Sequence, residues 1–352
     1  MIDQTTLDTI ALDLTKLNST KKRFETITSP ESKIIDEIND SLLWGAIKYF
    51  RKNNFVWVEV PTLTKITGAC ENVDTLYALN HFGQEAYLAQ TGQLYLEAKI
   101  PLHEKIWTTI TSSRAETAVD NRHLNQFTLI EMEHQGDFET MLPHIEGAIK
   151  SMLSETLDKR AEALQQINRA QEIYDWIHNP FSRITYTQGI ELLQAERFQD
   201  NRNKNNNLKW GDDLTSTEEA QLVALTGNKP LFITHFPREI KFFNMKVNDQ
   251  DESVVNSTDL IMPYSGESVG AAERENNVEK LTQRLLESKM YSILAQRGKT
   301  VEDFRDYLDM IQKNPLLHSG CGIGFNRISQ SVLGVDDIRI STNYPLQSDK
   351  LY

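Results

Sequence analysis

Apolar residues recur at helical spacing between Ile34 and Phe50: Ile34, Ile35, Ile38, Leu42, Leu43, Ala46, Ile47 and Phe50 fall on one stripe, as in a helix with one buried face. Ser29-Pro30-Glu31-Ser32 offers its start, and Asn53–Asn54 its end. Phe55 to Val60 reads as a strand stopped by Pro61. Strand-like runs follow at 84–89, 106–111 and 126–133, and a long helical stretch covers 140–176, with Met152, Leu153, Leu157, Ala161 and Leu164 keeping the period. The Asn-, Lys- and Asp-rich segment 199–217 reads as an exposed excursion. Leu231–Thr234 and Phe242–Met245 look like buried strands, and charged helices are predicted at 275–297 and 301–312. Helices mixed with hairpin-like strand pairs predict an α+β fold with an antiparallel or mixed sheet, rather than strict βαβ alternation.

Composition narrows the function classes. Acids outnumber bases, 50 to 37, for a net charge of −13. Nucleic-acid binders gain most of their affinity by neutralising phosphates, so this balance argues against a nucleic-acid partner while leaving room for a local basic patch. No apolar run approaches the roughly 20 residues that span a bilayer, and the first residues lack the pattern of a secretory signal. Cys70 and Cys321 stand in unrelated contexts, so a disulfide framework is not expected and a reducing cytoplasm is the default. Each reads as a packed small side chain rather than a nucleophile.

Three segments carry candidate chemistry. In the first, Ser113-Arg114-Ala115-Glu116 leads through a polar loop to Arg122-His123-Leu124-Asn125-Gln126-Phe127 and on to Glu131. Arginine forks suit phosphates because they stay charged and donate in pairs, and Phe127 offers a face for a base; surface charge in a hairpin is the plainer reading. The second runs Gly320-Cys321-Gly322-Ile323-Gly324-Phe325-Asn326-Arg327. Alternating glycines let backbone approach a ligand, though a tight helix–strand junction would look the same. The third holds Asp259, Glu267 and Arg274. Two carboxylates beside a triphosphate suit Mg²⁺; solvated charge is the alternative.

Taken together, these segments resemble the three motifs of the class II aminoacyl-tRNA synthetases, in the aspartate, asparagine and lysine subgroup. The resemblance implies Arg114 on the α-phosphate, Glu116 in the ATP site, Arg122 or His123 near the γ-phosphate, and Phe127 under adenine. It places Arg327 on the phosphates from the opposite side, Asp259 and Glu267 on the Mg²⁺ of ATP, and Arg274 at the side-chain end of the amino acid. Phe55 to Pro61 is similar to the family's dimer-forming first motif, implying a homodimer. Gln90-Thr91-Gly92-Gln93-Leu94-Tyr95-Leu96-Glu97 resembles the stretch lining the amino-acid pocket, which implicates Gln90 and Gln93, and Glu71 sits where the family has an acid contacting the α-amino group. Asn326 and Ala271-Ala272 depart from the family's usual residues, the latter pair at the pocket floor. The implied organisation is an extension over 1–30 and a catalytic domain over 31–352.

Substrate and acceptor remain expectations. Leu96 with Glu131 is the asparaginyl version of the pocket; aspartyl enzymes place a lysine and an aspartate there. Either aspartate or asparagine fits, with Glu131 accepting from an amide and Arg274 donating. About 30 residues precede the core, too few for the five-stranded barrel that reads anticodons in this family, and Tyr344-Pro345-Leu346 replaces the family's F-P-R ending. The expected acceptor is therefore a small amine, most concretely ammonia as in an AMP-forming asparagine synthetase. A truncated enzyme that charges tRNA and a non-catalytic amino-acid sensor are the alternatives.

Overall fold

The structure, a computed structural model, describes residues 12–65, 73–199 and 208–352. Among these the strands are β1 (Val56–Trp57), β2 (Leu63–Thr64), β3 (Ala78–His81), β4 (Gln84–Leu88), β5 (Lys105–Ser113), β6 (Gln126–Gln135), β7 (Ser182–Thr185), β8 (Leu231–Thr234), β9 (Ser257–Met262), β10 (Gly266–Glu273) and β11 (His318–Gly324). The main sheet has the order β1-β5-β6-β11-β10-β9-β8-β7. Its middle six strands are antiparallel, and a parallel pair closes each edge, β1 on β5 and β7 on β8. A small antiparallel sheet, β2-β4-β3, stands apart. The predicted α+β architecture is the one observed.

The strand period of two sorts the central strands into two faces. Ile130 and Met132 of β6, Val269 and Ala271 of β10, and Cys321 and Ile323 of β11 join the main core with the Pro30–Lys52, Phe138–Lys159 and Phe325–Leu333 helices. The alternate residues, Glu131 and Glu133 on β6, Gly270 on β10 and Gly322 on β11, line a cleft on the opposite face. The sheet is thus a wall between a helical core and a ligand-sized hollow.

The Pro30–Lys52 helix begins as predicted. Ser29 caps it by accepting the Ser32 N–H at 3.2 Å, with Pro30 in the first turn, and Asn54 beyond its end has φ +62°. Preceding residues belong to the same body, since Leu14 and Leu17 are buried in the main core.

Other elements differ from the sequence reading. Of 55–60 only Val56–Trp57 pairs as a strand. The stretch 140–176 is three helices, Phe138–Lys159, Ala161–Gln166 and Ala170–His178, broken at Arg160 and at Asn168, which has φ +55°. The 275–297 helix is two, Val278–Glu287 and Lys289–Gln296, and 301–312 opens as a 3₁₀ turn before Arg305–Lys313. Phe242–Met245 is a turn with one bridge, Met245 to Arg274. Phe243 is buried against the helical cluster of Leu281 and Leu285, so that burial replaces strand pairing. The excursion at 199–217 lies partly outside the described residues. No helix among them is long and apolar enough to cross a membrane.

Candidate active site

The cleft encloses about 380 Å³, within the ~300–1,000 Å³ typical of small-molecule sites. It gathers every described residue that the sequence nominated: Arg114, Glu116, Arg122, His123, Phe127 and Arg327, then Gln90, Gln93, Glu131 and Arg274, then Asp259 and Glu267. Residues 213 positions apart in the chain, Arg114 and Arg327, face one hollow because β5, which leads into Arg114, pairs with β6, and β6 pairs with β11, which leads into the helix bearing Arg327. Glu71 and Cys70 fall outside the described residues.

At one end lie the arginines. The Arg114 guanidinium stands 5.5 Å from the centre of the Phe127 ring, a cation–π distance, and its buried Nε has no hydrogen-bond partner among the described residues. Arg327 donates to the Glu267 backbone carbonyl. The loop bearing Arg122 and His123 is braced from within by Asp120, whose Oδ1 accepts both their backbone N–H groups at 2.8 and 2.9 Å. It is braced from outside by Gln347, whose Nε2 donates to the Asp120 and His123 carbonyls at 2.6 and 2.7 Å. Asn326 accepts the Thr128 N–H at 3.1 Å, so the residue departing from the family pattern ties β6 to the helix carrying Arg327.

Along the β9–β10 edge is an acid corner. Lys241 Nζ donates to Asp259 Oδ2 at 2.6 Å. Burial pushes the Asp259 carboxyl up to about 7, with Lys241 opposing the rise and Glu267 adding to it. Glu219, unnoticed in the sequence, accepts the Glu267 N–H at 3.2 Å and lies 3.8 Å from Arg122. Burial and Glu267 push its carboxyl to about 7 as well. Gly266, at φ +74°, must be bare: a Cβ there would meet Glu219 Oε2 at 2.5 Å.

The far end is buried and charged. Arg274 Nη2 donates to Glu133 Oε1 at 2.9 Å, and its Nε is 4.0 Å from Glu97 Oε1. Glu97 also accepts from Gln93 and from the Tyr307 hydroxyl, and lies 3.4 Å from His318 Nε2. Burial works against its charge, yet His318 and Arg274 hold its carboxyl below the usual range. Glu131 accepts from the Thr91 hydroxyl and from the Gly92 N–H at 2.7 Å; burial outweighs both and carries it to about 7. Gly320 gives this corner its room, since a Cβ would come within 1.8 Å of Glu133 Oε1.

The sequence reading missed Lys241, Glu219, Glu133 and Gln347. Glu133 carried a usable signal, two residues from Glu131 and therefore on the same strand face; the others are assembled by long-range packing. Ala271 borders the cleft but packs into the core, and Ala272 packs with Met245 and Val255. Cys321 is buried on the core side, where burial pushes its thiol up, away from nucleophilic use.

The profile of the class II tRNA synthetases (D, K and N) matches residues 16–348. The chain belongs to this family. It is an ATP-dependent ligase of the kind that forms an aminoacyl-adenylate. The asparagine–tRNA ligase of Pyrococcus furiosus is 33% identical over 328 residues, covering 93% of this chain and 71% of the relative. That of Desulforamulus reducens is 31% identical over 326 residues, covering 92% and 71%. Among solved structures, asparaginyl-tRNA synthetase from Pyrococcus horikoshii complexed with asparaginyl-adenylate superposes with a TM-score of 0.83 at 31% identity, covering 96% of this chain and 73% of that one. The Entamoeba histolytica asparaginyl-tRNA synthetase complexed with asparaginyl-adenylate gives 0.79 at 25% identity, covering 99% and 72%.

A synthetase nucleotide site calls for Mg²⁺, and the acid corner fits it. Asp259 and Glu267 present hard oxygens, and a cation, the Lys241 ammonium, already sits on Asp259. Among the described residues no three His, Cys, Asp or Glu side chains are grouped to cage a metal unaided. Mg²⁺ is commonly held by one or two carboxylates, with waters and phosphates supplying the rest.

Proposed function

We propose that the chain activates the α-carboxylate of asparagine with ATP and Mg²⁺ and passes the acyl group from the adenylate to an amine. The buried end of the cleft carries this reading. There Arg274 is already engaged by acids, Glu133 at 2.9 Å and Glu97 at 4.0 Å, with Glu131 lining the same cleft. Aspartate would add another carboxylate to that corner at the cost of its desolvation. Asparagine brings a neutral amide, whose N–H groups suit Glu131 and whose oxygen suits Arg274.

The chemistry needs positioning and charge, not a protein nucleophile. The substrate carboxylate forms a bond to the α-phosphorus as the bond to the β-bridging oxygen breaks and pyrophosphate leaves. Arg114 and Arg327, both lining the cleft, offset the charge on the α-phosphate, and Phe127 stacks the adenine. Asp259 and Glu267 would hold the Mg²⁺, which when bound neutralises phosphate charge. Gln90 and Gln93 flank the amino acid.

For the acceptor, the net charge of −13 favours a small amine over tRNA. Ammonia is the second reading: as an asparagine synthetase, the chain would activate aspartate, and Arg274 would have to exchange Glu133 for the substrate's other carboxylate. Leu43, Trp44, Val56 and Trp57 stand exposed on the Pro30–Lys52 helix and the edge strand β1, Trp44 and Trp57 by 52% and 53%. Those exposed apolar side chains support a homodimer through this edge. Light scattering should report a dimer for the wild type and a monomer for Trp57→Glu.

Pyrophosphate exchange with each of the twenty amino acids tests the substrate. Release of AMP with ammonia, hydroxylamine or total tRNA tests the acceptor. Asparagine is expected to give the fastest exchange, and a small amine, not tRNA, to accelerate AMP release. Exchange with aspartate and stimulation by ammonia would establish the second reading; exchange with neither amino acid would sink both.

A further inference from the structure

The acid pair expected to hold the metal already has an occupant, Lys241. Its ammonium lies 2.6 Å from Asp259 Oδ2 and 3.9 Å above the centre of the Phe236 ring. Side-chain exposure of 14% for the lysine and 12% for the aspartate leaves the pair largely out of water. The surroundings are otherwise acidic, with Glu267 and Glu219 close enough to raise the Asp259 carboxyl. Nearby guanidinium groups are turned elsewhere, Arg122 toward Glu219 and Arg327 toward the Glu267 carbonyl.

We propose that Lys241 is an internal counter-cation that must leave Asp259 before a divalent ion can bind, so that the site takes up metal together with the nucleotide and not before it. An ammonium and a divalent cation seek the same carboxylate oxygen, and each repels the other at that range. Evicting a buried ammonium without a new partner is costly. Mg²⁺ arriving alone offers none, whereas ATP brings phosphate oxygens to receive the displaced Nζ, and Lys241 lines the same cleft as the arginines. Lys241 is a positioning residue in this scheme: it keeps Asp259 aimed into the cleft and ranks the order of binding.

The inference rests on Asp259 and Glu267 being the metal acids, and the test separates the two claims. Mn²⁺ binding is followed by the loss of its free-ion electron paramagnetic resonance signal. Wild type, Lys241→Met and Lys241→Arg are titrated with Mn²⁺ alone and with a non-hydrolysable ATP analogue. Without nucleotide, Lys241→Met should bind Mn²⁺ about tenfold more tightly than wild type or more, and Lys241→Arg, which keeps the charge, should match wild type. With the analogue present, the three should converge. Lys241→Gln replaces Lys241→Met should the latter not fold, as judged by circular dichroism. If Lys241→Met binds Mn²⁺ no better than wild type without nucleotide, while wild type binds it with the analogue, the counter-cation role fails and the metal assignment stands. Absence of Mn²⁺ binding in every protein with the analogue removes the metal assignment and this proposal with it.

Discussion

Burial opposes the charge of the Glu131 carboxyl, and Glu131→Gln exposes what that charge costs the fold. Burial lifts its carboxyl to about 7 from an ordinary 4.5, despite the hydrogen bonds from Thr91 and Gly92. Between those pH values the folded protein keeps a proton that the unfolded chain has released. Stability therefore falls as pH rises from about 4.5 to about 7 and stays reduced above it. At about 1.36 kcal/mol per tenfold change in proton affinity, the ionised carboxylate costs the fold roughly 3 kcal/mol at pH 8. Glutamine carries no such charge but must find a partner for its amide nitrogen, at about 1 kcal/mol. The variant should therefore be more stable than wild type by about 2 kcal/mol at pH 8, and no more stable at pH 5, where both side chains are neutral. Urea denaturation midpoints at the two pH values measure this. Under the proposed reading the same change removes a charged acceptor from the asparagine amide, worth about 1.5–3 kcal/mol, so kcat/KM for asparagine exchange should fall roughly 10- to 100-fold. A variant less stable than wild type at pH 8, or one whose gain is equal at both pH values, would refute the reasoning.

Further substitutions probe other parts of the site. Arg327→Ala should lower kcat of pyrophosphate exchange by about 10²- to 10³-fold, with the urea midpoint moved little, because among the described residues its guanidinium makes one hydrogen bond, to a backbone carbonyl. Gly320→Ala should destabilise the fold by about 1–3 kcal/mol and raise KM for the amino acid, since the new Cβ would force Glu133 off Arg274. Gln347→Ala should raise KM for ATP several-fold while leaving kcat near wild type, because it loosens the loop bearing Arg122 and His123 without touching the reacting atoms; an unchanged KM would show that Asp120 alone holds that loop.

The fold and the meeting of Arg114 and Arg327 in one cleft were legible because their signals are local. The stripe from Ile34 to Phe50, the strand-like run at 126–133 and the alternating glycines of β11 each lie within ten to twenty residues, and the resemblance joined them into one cleft. Legibility failed where periods survive a break or where burial has two routes. The joints at Arg160 and Asn168 interrupt a helix without interrupting its apolar spacing, and carry no glycine or proline to mark them. Phe242–Met245 reads as a strand because it is buried, yet it packs against helices. Lys241 and Gln347 were equally invisible in role. Lys241 meets Asp259 across 18 residues, and Gln347 meets Asp120 across 227, distances at which sequence spacing carries no geometry.

The central claim is that the buried end of this cleft selects an amide, and paired adenylate mimics test it without requiring turnover or an acceptor. Calorimetric titration with asparaginyl- and aspartyl-sulfamoyl adenosine, at pH 8 and in the presence of Mg²⁺, gives the two dissociation constants. The account predicts tighter binding of the asparaginyl compound by about 100-fold, or about 2.7 kcal/mol. Equal affinities, or preference for the aspartyl compound, would contradict it.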